Sequence, residues 1–160
     1  MKTLSLLTLA ALSLGAQTYQ IDTAHSSAGF SVKHMMVTNV SGKFANLKGT
    51  IVFDEKNLAK SSVEASIDVN TVNTNEAKRD AHLKAPDFFD AAKYPTMEFK
   101  STKVYKAGST VKIDGNLTLH GVTKPVTLTL NEISPEVKHP MGGLVRGAVA
   151  TTKINRKDFG

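Results

Sequence analysis

Apolar and polar side chains alternate one by one through segment after segment of this chain, and a period of two leaves few folds open. The pattern is clearest where Val63, Ala65, Ile67 and Val69 alternate with Ser62, Glu64, Ser66, Asp68 and Asn70. Ala28, Phe30 and Val32 against Gly29, Ser31 and Lys33 repeat it, as do Ile51 and Phe53 around Val52, and Met97 and Phe99 against Glu98 and Lys100. Further on, Val111, Ile113, Leu117 and Leu119 alternate with Lys112, Asp114, Asn116 and Thr118. Val126, Leu128 and Leu130 then alternate with Thr127, Thr129 and Asn131, and a last run goes from Val145 through Gly147 to Val149. Successive strand residues point to opposite faces, so each segment reads as a strand with one side buried and one in water. A chain of about seven or eight such strands with turn residues between them is all-β and antiparallel, a sandwich or a barrel.

One stretch breaks the alternation. Asn73 is a candidate N-cap with Glu76 three residues on, followed by good helix formers up to Ala85, and Pro86 stops the run. This predicts one short helix over residues 73–85, placed to plug one end of a barrel. Asp87-Phe88-Phe89-Asp90 reads as a turn that drives both rings inward.

At the N-terminus, Lys2 precedes an uncharged run from Thr3 to Ala16 that carries Leu4, Leu6, Leu7, Leu9, Leu12 and Leu14. That is the layout of a secretory signal peptide. The run is too short to cross about 30 Å of hydrocarbon, which takes about 20 helical residues. Cleavage after Gly15 would put Ser13 at the third position upstream, and cleavage after Ala16 would put Leu14 there. Residues 1–16 are therefore read as a leader and 17–160 as one domain, periplasmic or secreted. There is no Cys, so stability must come from the core, and an anchor on a lipid-modified N-terminal Cys is excluded. No stable membrane anchor is expected.

The chain is basic, with Lys+Arg 20 against Asp+Glu 14 and a net charge of +6. The lysines are scattered along strand outer faces and not grouped with aromatics, which argues against nucleic-acid binding. The histidines His25, His34, His82, His120 and His139 match no metal-ligand spacing, so no metal and no cofactor are expected. His25 and Ser26 are adjacent on an extended segment and point apart, which disfavours a catalytic pair. His120 falls in a loop read as His120 to Pro125, with Pro125 opening the next strand.

The residues also match a family, piece by piece and in order. The pieces are Asp22-Thr23-Ala24-His25-Ser26, Phe30-Ser31-Val32-Lys33-His34, Val40-Ser41-Gly42-Lys43-Phe44 and Arg79-Asp80-Ala81-His82-Leu83, then Asp87-Phe88-Phe89-Asp90, Tyr94-Pro95 and Phe99-Lys100-Ser101-Thr102. Gly115 to Val126 and Ile154-Asn155-Arg156-Lys157-Asp158-Phe159-Gly160 complete the set. Along nearly all of 17–160 the chain resembles the YceI-like family. The resemblance implies a lipocalin-like antiparallel eight-stranded barrel outside the cytoplasm, enclosing a polyisoprenoid, quinone-like or other long-chain lipid, with no settled enzymatic activity. In the family the Asn-Arg-x-Asp-Phe-Gly segment leads on to a closing strand. The barrel is therefore expected to lack that strand and to leave the strand around Val145 to Thr152 with unpaired backbone groups, unless the strand around Tyr19 to Asp22 shifts across to close the gap.

An eight-stranded barrel either fills with side chains or holds one small ligand. Large inward residues mix here with small ones such as Ala28, Ala65, Gly115 and Gly147, and there is no Trp, so a narrow apolar tunnel is expected. Its lining is read as Phe30, Phe44, Phe53, Met97, Phe99, Ile113, Leu117 and Leu128, joined from the helix end by Phe88 and Phe89. Phe in place of Ala65 or Gly115 should then block lipid retention in a folded barrel. Arg79, His82 and His34 are the polar candidates. Arg79 or His82 would meet a lipid headgroup, or Arg79, Asp80 and His82 would tie the helix to the barrel rim. The leading reading is a lipid-binding or lipid-carrying module for a long-chain isoprenoid, with a homodimer left open. The rival is an extracytoplasmic enzyme acting on such a lipid, with His82 or His34 as acid/base and Arg79 as anion clamp.

Overall fold

The computed structural model describes residues 15–160; the apolar run read as a leader lies outside them up to Leu14. Eleven strands follow in order: β1 (Gln17–Gln20), β2 (Ala28–His34), β3 (Thr38–Phe44), β4 (Lys48–Phe53), β5 (Ser62–Asp68), β6 (Thr96–Ala107), β7 (Thr110–Leu119), β8 (Val122–Ile133), β9 (Val137–Lys138), β10 (Leu144–Val145) and β11 (Ala148–Thr151). One α-helix, α1 (Ala77–Leu83), sits between β5 and β6. β1-β4-β5-β6-β7-β8-β11 form one antiparallel sheet, while β2–β3 and β9–β10 are separate hairpins.

The large sheet is curled but open. Tyr19, on the β1 flank, donates its hydroxyl to Glu136, which lies just beyond β8 on the opposite flank. Beside it, the Arg146 guanidinium stands 5.2 Å from the centre of the Phe53 ring on β4. The two flanks therefore approach each other at this end, giving a half-barrel. Bulges at Ser101/Lys103 in β6 and at Val149/Ala150 in β11 add local twist to the bend. At the first bulge the Ser101 hydroxyl accepts the Val63 N–H at 2.8 Å. β11 ends the sheet as expected, and all four of its residues are exposed. β1 pairs with β4 and does not cross over to close the opening.

The connection between β7 and β8 is tighter than the sequence suggested. The loop is only His120–Gly121, both with positive φ (53° and 73°), the two-residue hairpin turn whose twist suits antiparallel strands. Pro125 consequently lies inside β8, opposite Asn116. Proline is tolerated there because β11 pairs with β8 only from Thr129 onward, so one edge of β8 is free at Pro125.

The helix is also shorter than expected. Glu76, not Asn73, caps it, its carboxylate accepting the N–H groups of Lys78 and Arg79. Asn73 instead exchanges backbone hydrogen bonds with Lys43 of β3, each 2.9 Å, and tethers the β2–β3 hairpin.

Two buried clusters result. Phe99, Val104, Ile113, Leu117, Leu119 and Phe159 pack on the inner face of the sheet. Phe44, Val69, Val72 and Ala91 pack where the root of the β2–β3 hairpin meets the segments on either side of α1. Phe89 and Met97 touch both clusters.

Candidate functional site

The apolar residues expected to line one interior divide between these clusters. Phe99, Ile113 and Leu117 are buried in the sheet cluster, with Leu128 packed against it, while Phe44 is buried in the hairpin cluster with Phe30 against it. Phe30 and Phe44 lie 5.4 Å apart, and Phe44 meets Phe89 edge to face at 5.4 Å. Two expected members stand apart. Phe53 packs under Arg146 at the far end of the sheet and belongs to neither cluster. Phe88 is exposed and meets the His82 ring edge-on at 4.8 Å, so the Phe88-Phe89 pair sends one ring in and one out.

Gly115 is not a vacancy, whereas Gly147 has only Ser134 near it, at 3.7 Å. A Cβ on Gly115 would lie 2.4 Å from Phe99 Cζ and 2.6 Å from the Lys100 carbonyl oxygen, so the Phe99 ring already fills that space. Gly42 is covered in the same way by Phe30. The expectation that a Phe at Gly115 would block a tunnel in a folded barrel is therefore corrected: there is no room for it.

The polar candidates are spent on structure. Arg79 Nε donates to the Thr74 hydroxyl at 2.8 Å and its Nη2 to the Thr74 carbonyl at 2.9 Å. Asp80 accepts both the N–H and the hydroxyl of the buried Thr74. The pair locks the segment before α1; these bonds are local to the helix and its flanks and do not reach a strand of the sheet. His82 Nε2 is 2.7 Å from Asp87 Oδ2, holding the helix to the turn that follows it. His34 is exposed at the distal end of β2, and among the described residues no hydrogen bond joins it to His82 or Arg79.

The remaining histidines serve turns. His25 Nδ1 sits 2.6 Å from Asp22 Oδ2; this hydrogen bond, helped by the Ala24 N–H, holds the Asp22 carboxyl below its usual range. His120 Nδ1 is 3.1 Å from the Phe159 carbonyl, and His139 Nδ1 accepts the Met141 N–H at 3.2 Å. At the closed end of the sheet, burial first and the Glu136 carboxylate second push the Tyr19 phenol upward.

Sequence reasoning missed a groove beside β8. An open groove of about 730 Å³ runs between β8 and the segment after β11, lined by Pro125, Val126, Thr127, Ile154, Phe159 and the lysines Lys124 and Lys153, among others. It exists because β8 has no partner over Val122–Leu128 on this side. Val126 and Phe159 belong to the sheet cluster or pack on it, so the groove reaches the core from outside. Register carries Lys124 to the inner face, since it pairs with Leu117. The inward Phe159 closes a short polar turn over Arg156–Phe159, and a single buried ring in such a turn has no periodic signal.

Comparison with known proteins bears on this arrangement. A model of the YceI-like domain matches residues 19–160. A UPF0312 protein of Vibrio parahaemolyticus is 43% identical over 154 residues, covering 93% of this chain and 81% of the relative. The solved structure of Burkholderia cenocepacia BcnA superposes with a TM-score of 0.72 at 25% identity, covering 87% of this chain and 83% of BcnA. A structure described as a polyisoprenoid binding domain from Saccharophagus degradans, implicated in plant cell wall breakdown, shares the fold at a TM-score of 0.52 and 21% identity, covering 74% of this chain and 70% of that one. Matched over almost every described residue and carrying the curled antiparallel sheet of its solved relatives, the chain belongs to the YceI-like family.

Proposed function

We propose that this protein binds a long-chain isoprenoid lipid outside the cytoplasm and holds it without transforming it. The observation that carries the reading is the groove at Val126 and Phe159, which joins solvent to the apolar inner face and has Lys124 and Lys153 at its margin. Its volume is within the range of small-molecule sites. A chain laid on Val126, Ile154 and Phe159 gains about 0.8 kcal/mol per buried methylene-sized group, and needs no directional bond to bind. The lysines suit an anionic or carbonyl headgroup. The polyisoprenoid-binding description of the Saccharophagus domain and the leader-like residues 1–16 support the ligand class and the compartment.

The test is to purify the protein, extract it with organic solvent and identify the extract by mass spectrometry. A polyprenyl or quinone-like lipid near one per chain is expected, and Val126→Glu, which sets a carboxylate on the groove wall, should strip it. Protein that yields no lipid and takes up none from micelles would overturn the reading.

A further inference from the structure

The β2–β3 hairpin turns through Met35 and Met36, both in the left-handed region with φ of 48° and 62°. Val37 N–H closes the turn on the His34 carbonyl at 3.0 Å. This geometry suits Asn-Gly, and two methionines are strained in it. The three tip residues Met35, Met36 and Val37 are 79%, 81% and 86% exposed. A strained turn that presents three apolar side chains to water is opposed by both local sequence preference and solvation, and such conflicts mark surfaces kept for contact.

The rest of the hairpin says with what. Its register puts Phe30, Val32, Val40 and Phe44 on one face, and Lys33 and Lys43 on the other with Ser31 and Ser41. The root of the apolar face is buried at Phe44, but Val32 is 46% exposed, so the apolar stripe runs from the core out to the tip. From Thr23 to Phe53 the sequence has Lys33, Lys43 and Lys48 and not one Asp or Glu. Lys33 stands beside the turn and Lys43 at the hairpin root opposite Gly29, with no acid on either strand, so the apolar tip with its basic flank is complementary to an anionic bilayer, whose headgroups attract Lys33 while its acyl boundary takes the tip. We propose that Met35, Met36 and Val37 dock this protein on an anionic membrane surface. The docking does not depend on what the interior holds.

Flotation with vesicles of phosphatidylethanolamine and phosphatidylglycerol, against vesicles of phosphatidylcholine, tests it on the full chain. The protein should float with the anionic vesicles and be released as salt rises. Met35→Asn combined with Met36→Gly supplies the residues the turn prefers, so it should keep or raise the thermal midpoint while partitioning at least about tenfold more weakly. Equal partitioning of the variant would overturn the proposal, as would a wild-type protein that floats with neither vesicle. So would a dimer that the same variant makes monomeric without any vesicle binding, which would assign the tip to a second copy. Solvent extraction of both proteins separates this from the cargo: the variant should carry as much lipid as the wild type. Absent cargo with intact flotation would overturn the lipid-holding reading alone.

Discussion

The Phe99 ring occupies the place where a side chain on Gly115 would stand. The two residues are diagonal neighbours across β6 and β7, since Phe99 pairs with Leu117 and Gly115 with Ser101. Gly115→Ala would push a methyl group into Phe99 Cζ and the Lys100 carbonyl oxygen, and the carbonyl is backbone that cannot swing aside. We expect a loss of about 1–3 kcal/mol in denaturant unfolding, the usual cost of overpacking. An unchanged midpoint would mean that the β6–β7 contact is looser than described.

Arg79→Ala removes the donors to the Thr74 hydroxyl and carbonyl. Because Thr74 is buried, stability should fall by about 1–3 kcal/mol, the penalty for a buried polar group left short of a partner. Lipid recovery from the folded variant should stay near the wild-type amount. A selective loss of lipid with stability intact would restore Arg79 as a headgroup clamp.

Tyr19 gives the closed end of the sheet an alkaline limit. Its pKa is raised above 10.0 by burial and by Glu136, so the fold favours the neutral phenol that donates to the carboxylate. A group raised in the folded state contributes stability fully below its unfolded value and loses it as pH climbs through the folded one. Unfolding midpoints should therefore fall above about pH 10 in the wild type and fall less steeply in Tyr19→Phe. Parallel profiles would show that the phenol is not coupled to folding.

Phe159→Ala tests how firmly the segment after β11 is held. Phe159 is 3% exposed within the sheet cluster, and truncating a buried Phe costs about 3–5 kcal/mol. The same variant removes one wall of the groove, so recovered lipid should drop even under conditions where the protein stays folded.

Alternation in the sequence located most of the sheet, and it is plainest where every second residue is the more buried one, over the first half of β6 and from Ile113 to Leu119 in β7. It failed where tertiary partners decide. Nothing local distinguishes Asn73 as a strand bridge from Asn73 as a helix cap until Lys43 is beside it. Phe88 and Phe89 are equivalent in sequence, and only the turn geometry sends one toward Phe44 and the other toward His82. Pro125 suggested a strand beginning; the free edge that lets it sit inside β8 depends on where β11 stops pairing. The groove arises from that same edge and was illegible for the same reason. The Met35-Met36 turn has no turn residue in it at all.

That the sheet cluster and the hairpin cluster meet at Phe89 and Met97 means that this protein does not have a single stability. The long ladders of β6, β7 and β8 sit under one cluster. The two-stranded hairpin leans on the other, and an isolated hairpin is marginal in water. Openings that peel Phe44 off Val69 and Val72 break far fewer ladder bonds than openings that part β6 from β7. The amides of β2 and β3 should therefore exchange with solvent well before those of β7, which makes the half of the molecule nearest the methionine tip the half expected to let go first.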